Sequence, residues 1–235
     1  MNYFDQFAFQ IYPYIALAVF FIGSWVRFDH SMYTWRSGSS QLLSSRGMRI
    51  GSNLFHVGIL VVLAGHVVGL LTPHFVYEIF ITAHQKQILA MVVGGVFGAI
   101  CLVGLLILLA RRLFNPRVRA TGTFGDTLIL VLLLAQLLLG LYTIVLSSHH
   151  MDGSVMIVLA EWAQHIVTFR GGAADFVAGV DWVYKAHIFL GMTLFLLTPF
   201  TRLVHIWSIP VSYLWRPYQV VRRRQPTLNY GPRTP

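Results

Sequence analysis

Charge is what this sequence has least of. Only 11% of its 235 residues are Asp, Glu, Lys or Arg, against about 25% in an ordinary soluble domain. Such a chain cannot cover itself with a water-compatible surface. Cysteine is nearly absent as well: the single Cys101 excludes an internal disulfide, and its place in an apolar run makes it a small core or lipid-facing residue. No repeat, low-complexity block or soluble-looking segment interrupts the chain, so a single domain is expected. What remains is hydrophobic, 56% of residues at a mean hydropathy of +0.67. This is a membrane protein.

Five runs are long enough to cross a hydrocarbon core, which takes about 20 helical residues. They are Phe7–Val26, Asn53–Thr72, Ile88–Ala110, Thr127–Leu146 and Lys185–Trp207. The predicted fold is all-α, one five-helix transmembrane unit over residues 1–215 followed by a basic tail, 216–235. The fourth run has only Gln136 as a polar interruption and is expected to face lipid. The first is not a cleaved leader, because Asp5 precedes it and Arg27 and Arg36 follow it.

The basic residues set the direction. With the N-terminus outside, fourteen of the 17 Lys and Arg fall on inner segments, and only Lys86, Arg170 and Lys185 fall outside. The reverse orientation inverts the positive-inside rule. The N-out, C-in topology therefore explains the net charge of +9 without any nucleic acid. Between the fourth and fifth spans, about 153–170 has helical length but is too short and polar to cross. It reads as an outer interfacial helix with Asp152 or Ser154 as N-cap and Gly171–Gly172 as its stop.

Ten histidines occur, and six of them fall in or near loops, where they need no special account. His56 and His66 lie in the second span, His187 and His205 in the fifth, and neither span offers an acidic partner. A single such histidine is readily a hydrogen bond between helices; four on two helices point to a shared ligand. At 1.5 Å per residue His56 lies roughly 5 Å from the inner end of its span and His66 roughly 20 Å. On the same ruler His205 lies roughly 3 Å and His187 roughly 30 Å from that end. His56 therefore faces His205 at the inner level and His66 faces His187 further out, with a residual mismatch of about 10 Å. Eighteen residues make five turns, so a continuous helix puts His187 and His205 on one face.

Paired imidazoles in an apolar bundle suit low-spin haem, which takes one axial nitrogen on each side of its iron. Zinc suits them less, lacking a third and fourth ligand. Gly58, Gly65, Gly69 and Gly191 flank the histidines and give a macrocycle room. Gly65–Gly69 and Gly94–Gly98 equally fit the small-residue pattern of helix packing. The reading is two b haems stacked across the membrane. Arg202, Arg111 and Arg112 form an electropositive rim at the inner level, for haem propionates or an acidic partner.

The segments "IYPYIALAVFFIGSW", "SNLFHVGIL", "GHVVGLLTPH", "RRLFNPRVRAT", "HHMDGS" and "HIFLGMTLFLLTPFTRLVHIWSIPV" resemble the gamma subunit of membrane-bound respiratory nitrate reductases, from about residue 8 to 222. The resemblance implies a bacterial inner-membrane subunit whose inner haem is held at the positions of His56 and His205, and its outer haem at those of His66 and His187. It also implies a quinol site at Lys86 and Gly65, taking menaquinol or ubiquinol. Electrons would pass inward to an iron–sulfur beta subunit, then to a molybdenum-containing alpha subunit that reduces nitrate. On residues alone, Lys86 is equally a lysine snorkelling to the interface. Two rivals are a di-haem cytochrome of a formate dehydrogenase or hydrogenase, and a transporter whose histidines relay protons. A visible spectrum separates the second, since only a haem protein is red.

Overall fold

The computed structural model describes residues 3–35, 38–44, 47–208 and 215; the predicted tail, 216–235, lies outside them. Helices make up the fold, and no strand occurs among the described residues. Five helices are long and apolar enough to cross a membrane: Tyr3–His30, Met48–Leu71, Ala83–Phe114, Phe124–Ser147 and Trp182–Phe200. The first four are the predicted spans lengthened by one to five residues at their ends, except that the second stops at Leu71, one residue short of the predicted Thr72.

Local chemistry accounts for those ends. Thr82 starts the third span by accepting a hydrogen bond from the Gln85 N–H (3.3 Å), while the Gln85 side chain accepts one from the Thr82 N–H (3.0 Å). Thr123 and Asp126 form the same reciprocal box at the start of the fourth. Each box satisfies two N–H groups that a helix start otherwise leaves unpaired.

Proline shapes the first and fifth spans. Pro13 has no N–H to give the carbonyl four residues back, that of Phe9. The helix widens to π geometry over Phe7–Ile11, and the Trp162 indole N–H donates to the Phe9 carbonyl at 2.9 Å. Pro199 has a stronger effect, and here the expectation of one continuous helix to Trp207 fails. The α-helix stops at Leu197 and continues as two 3-10 turns, Thr198–Phe200 and Arg202–Ser208, around an extended Thr201. Arg27 of the first span donates to the Pro199 carbonyl at 2.7 Å and the Thr201 carbonyl at 2.8 Å. Those carbonyls lost their helical donors at the break.

The second and third spans make the closest helix pair. A Cβ at Gly58 would stand 2.6 Å from Cys101 Cβ, and one at Gly51 2.8 Å from the Ile107 side chain. Gly58 is thus a packing glycine, not room for a ring, and Cys101 is a core residue, buried against it. Gly65 and Gly69 do the opposite: a Cβ at either would meet nothing within 4 Å.

The outer helix runs Ser154–Val167. Its N-cap is Gly153, at φ 81°, instead of Asp152 or Ser154. Asp152 acts one residue earlier, accepting from the Ser154 hydroxyl (2.8 Å) and N–H (3.2 Å); these bonds hold its carboxyl below the usual range. The helix ends before the predicted glycine pair, and Gly172 instead begins the short helix Ala173–Ala178. One face of the outer helix packs into the core of the bundle. Trp162, Ala163 and Ile166 bury against Ala8 and Phe9 of the first span and against Ala173, Ala174 and Val177. Lys185 closes the same end, bonding Asp5 at 3.2 Å and the Ala178 carbonyl at 2.9 Å.

Candidate functional site: two histidine pairs

The structure brings the four span histidines together two by two. The His56 and His205 ring centroids stand 6.2 Å apart at an interplanar angle of 68°. Those of His66 and His187 stand 6.0 Å apart at 36°. The ten residues between His56 and His66 rise about 15 Å, whereas a continuous helix from His187 to His205 would rise about 27 Å. The break at Pro199 removes that discrepancy. It also replaces the predicted common helical face, since His205 sits on a 3-10 turn.

The ring separations fit a six-coordinate iron. An imidazole nitrogen binds a first-row metal at about 2 Å, and adding about 1 Å from each nitrogen to its ring centre gives centroids about 6 Å apart across one metal. Three rings are also fixed as metal ligands commonly are, by a hydrogen bond at the other nitrogen. His56 Nδ1 bonds the Ser52 carbonyl at 2.7 Å and His66 Nδ1 the Val62 carbonyl at 2.8 Å. His205 Nδ1 bonds the Arg202 carbonyl at 2.5 Å. Each arrangement leaves Nε2 for a ligand. Beside them, the open faces of Gly65 and Gly69 provide the space a flat ring requires.

His187 is held differently. Its Nδ1 is buried without a partner, and its Nε2 lies 3.4 Å from the Gln136 amide nitrogen. The fourth span has almost no buried residues, as expected of a lipid-facing helix, yet it turns Gln136 towards the outer pair. Sequence reasoning noticed Gln136 but missed its place; the signal was a lone amide in an otherwise apolar helix.

At the inner level the arginines are already engaged. Asp126, buried at the start of the fourth span, accepts from Arg112 at 2.5 Å and from Arg202 at 2.6 Å through Nη2, with Arg202 Nε on its other oxygen. Arg202 also donates to the Gly38 carbonyl at 2.7 Å, and Arg111 to the Ser44 carbonyl at 2.9 Å. Arg112 and Arg202 tie that end of the bundle together around a single carboxylate, so the cluster keeps a net positive charge. Asp126 was not foreseen, because its capping role hides the second role in the sequence.

Lys86 does not snorkel outward. It is 7% exposed, and its ammonium lies 3.7 Å from the centre of the Tyr77 ring. Its Nζ has no hydrogen-bond partner among the described residues. Burial raises the Tyr77 phenol above its ordinary pKa, so the ring beneath the ammonium is neutral at pH 7. A cation–π contact returns only about 1–2 kcal/mol, less than the several kcal/mol that a buried ion costs. A further acceptor for Lys86 is the chemistry its position calls for.

The family model for the nitrate reductase gamma subunit matches residues 5–224. The chain is 56% identical over 224 residues to the respiratory nitrate reductase 1 gamma chain of Escherichia coli K12, covering 95% of this chain and 100% of that protein. It is 54% identical over 225 residues to the respiratory nitrate reductase 2 gamma chain of the same organism, again over that protein's full length. The nitrate reductase gamma chain of Bacillus subtilis 168 is 39% identical over 220 residues, 93% of this chain and 98% of that protein.

Proposed function

The chain belongs to the nitrate reductase gamma-subunit family, and from that premise we propose that it oxidises quinol near the outer face and carries the electrons inward through two b haems. It is a multi-pass inner-membrane protein and a membrane subunit of a respiratory nitrate reductase. In this reading an iron–sulfur beta subunit receives the electrons on the cytoplasmic side, and a molybdenum-containing alpha subunit reduces nitrate. The observation that carries it is the pair of imidazole sandwiches, 6.2 Å and 6.0 Å between centroids.

His56 and His205 hold the inner haem, and His66 and His187 the outer one. Each haem, when bound, takes up and releases one electron at a time at its iron. The protein's residues do the rest. The carbonyls of Ser52, Val62 and Arg202 fix three imidazoles in one tautomer each. Lys86 donates its uncommitted hydrogen bonds to a quinol oxygen, menaquinol's or ubiquinol's, and Gly65 leaves the quinol head space beside His66. The basic asymmetry puts the N-terminus outside, so quinol protons leave outward as electrons move inward. Each charge so separated stores about 2.3 kcal/mol per 100 mV.

The test is haem counting on the purified complex. Pyridine haemochrome analysis is expected to give two b haems per gamma chain, reducible by a menaquinol analogue. One haem or none, in a complex still carrying its other subunits, would overturn the reading.

A further inference from the structure

Three of the four imidazoles are oriented by a carbonyl of their own chain segment, three or four residues back. His187 is the exception, and the fourth span supplies what its own helix does not. The Gln136 amide donates to the His187 backbone carbonyl at 3.1 Å and stands 3.4 Å from ring Nε2. The other ring nitrogen, Nδ1, is left buried and without a partner.

Packing makes this contact hard to escape. Four residues after Gln136 comes Gly140, and a Cβ there would stand 2.9 Å from His187 Cε1. Four residues after His187 comes Gly191, where a Cβ would stand 3.2 Å from the Gln136 amide nitrogen. The fourth and fifth spans thus exchange polar side chains reciprocally: each lies over the glycine one turn along the other helix. The glycines let the backbones close up, and the imidazole has little room to turn.

We infer that Gln136 is the positioning residue of the outer haem, fixing the plane and basicity of the His187 imidazole from the neighbouring span. This rests on the haem reading above. Gln136 itself touches no iron; with its amide oxygen accepting from Nε2–H it leaves the Nδ1 lone pair to the metal, whereas an amide N–H donating to Nε2 puts the ring proton on Nδ1. Outer-shell partners of metal-bound histidines set ring orientation and ligand basicity, and through them the potential of the metal. The Gln136 oxygen, also buried without a donor, shows how the amide can act either way. A half-turn about its last bond presents an acceptor to an imidazole N–H at the same place.

The experiment uses the whole complex and two readouts independent of turnover: potentiometric titration of the two haems, and low-temperature EPR of their low-spin g values. A His66→Leu variant, lacking the outer haem, assigns the signals. Gln136→Glu is expected to lower the outer-haem midpoint, because an acceptor carboxylate makes the imidazole more electron-rich. Gln136→Leu, which keeps the volume and removes both polar atoms, is expected to shift the outer-haem g values. The inner haem stays unchanged in both. Should Gln136→Leu fail to assemble, Gly191→Ala displaces the amide without deleting it and is expected to move the same signals less far. Unchanged outer-haem potential and g values in the variants that assemble would overturn the inference while leaving two haems in the parent. A parent without haem would overturn the functional reading instead.

Discussion

The inner and outer histidine pairs have nearly equal spacing but are built in opposite ways. In the outer pair both histidines sit on regular helix, and the ring on the fifth span is seated by helix against helix, with Gln136, Gly140 and Gly191 in direct contact. In the inner pair, His205 hangs on a 3-10 turn beyond a broken helix. Its position depends on polar ties: Arg27 to the carbonyls at the break, and Arg202 to Asp126 and Gly38. Close packing fixes one ligand and an ion cluster fixes the other. Removing a side chain should therefore injure the two sites separately.

The largest effect should come from the outer ligands themselves. His66→Leu is expected to delete the outer haem, keep the inner one, and lower quinol-driven haem reduction at least 100-fold, measured by stopped-flow absorbance. Equal loss of both haems would mean that the pairs are not independent. Asp126→Ala comes next and should act on the inner pair alone. It removes the carboxylate shared by Arg112, at 7%, and Arg202, at 34% exposure, leaving each its bond to a backbone carbonyl, and breaking a buried ion pair costs about 3–5 kcal/mol. The more open Arg202 puts the expected loss near the lower end. Thermal unfolding of the complex should show it, with the inner-haem EPR signal disturbed and the outer one intact. Smaller again is Lys86→Ala. A hydrogen bond from a charged group contributes about 1.5–3 kcal/mol, so haem reduction by menaquinol should slow roughly 10- to 100-fold. Both haem spectra should stay as they were; a changed outer-haem spectrum would make Lys86 a part of the haem site instead of a donor to quinol.

Much of this contrast could be read from the sequence, and the unread part has definite causes. Five spans are legible because each exceeds the length that lipid demands, and the inner and outer pairing follows from depth alone. The break at Pro199 left a trace, the mismatch of about 10 Å on a straight-helix ruler. The ruler gave no direction for the chain past the proline. The orientation of the fourth span was hidden for a different reason. A helix that is apolar all round carries no periodic mark of its buried face, so a single amide was the only pointer. Glycines were ambiguous because one residue serves two purposes. Gly58 lets the second span approach Cys101, whereas Gly65 leaves space beside His66, and since each lies within two residues of a span histidine, sequence position alone does not separate the two uses. Asp126 was concealed by its own capping box, which already accounts for an aspartate at that position.

The interruption at Pro199 also has a mechanical consequence. A rigid rod joining His187 to His205 would transmit any twist or slide of one end to the other. Here the rod ends at Leu197, and the next stretch is a jointed arm whose reach is set by Arg27 and Arg202. Strain arriving at the His205 end is taken up in that arm before it reaches the His187 ring. The two histidine pairs can thus share one polypeptide and still be adjusted one at a time.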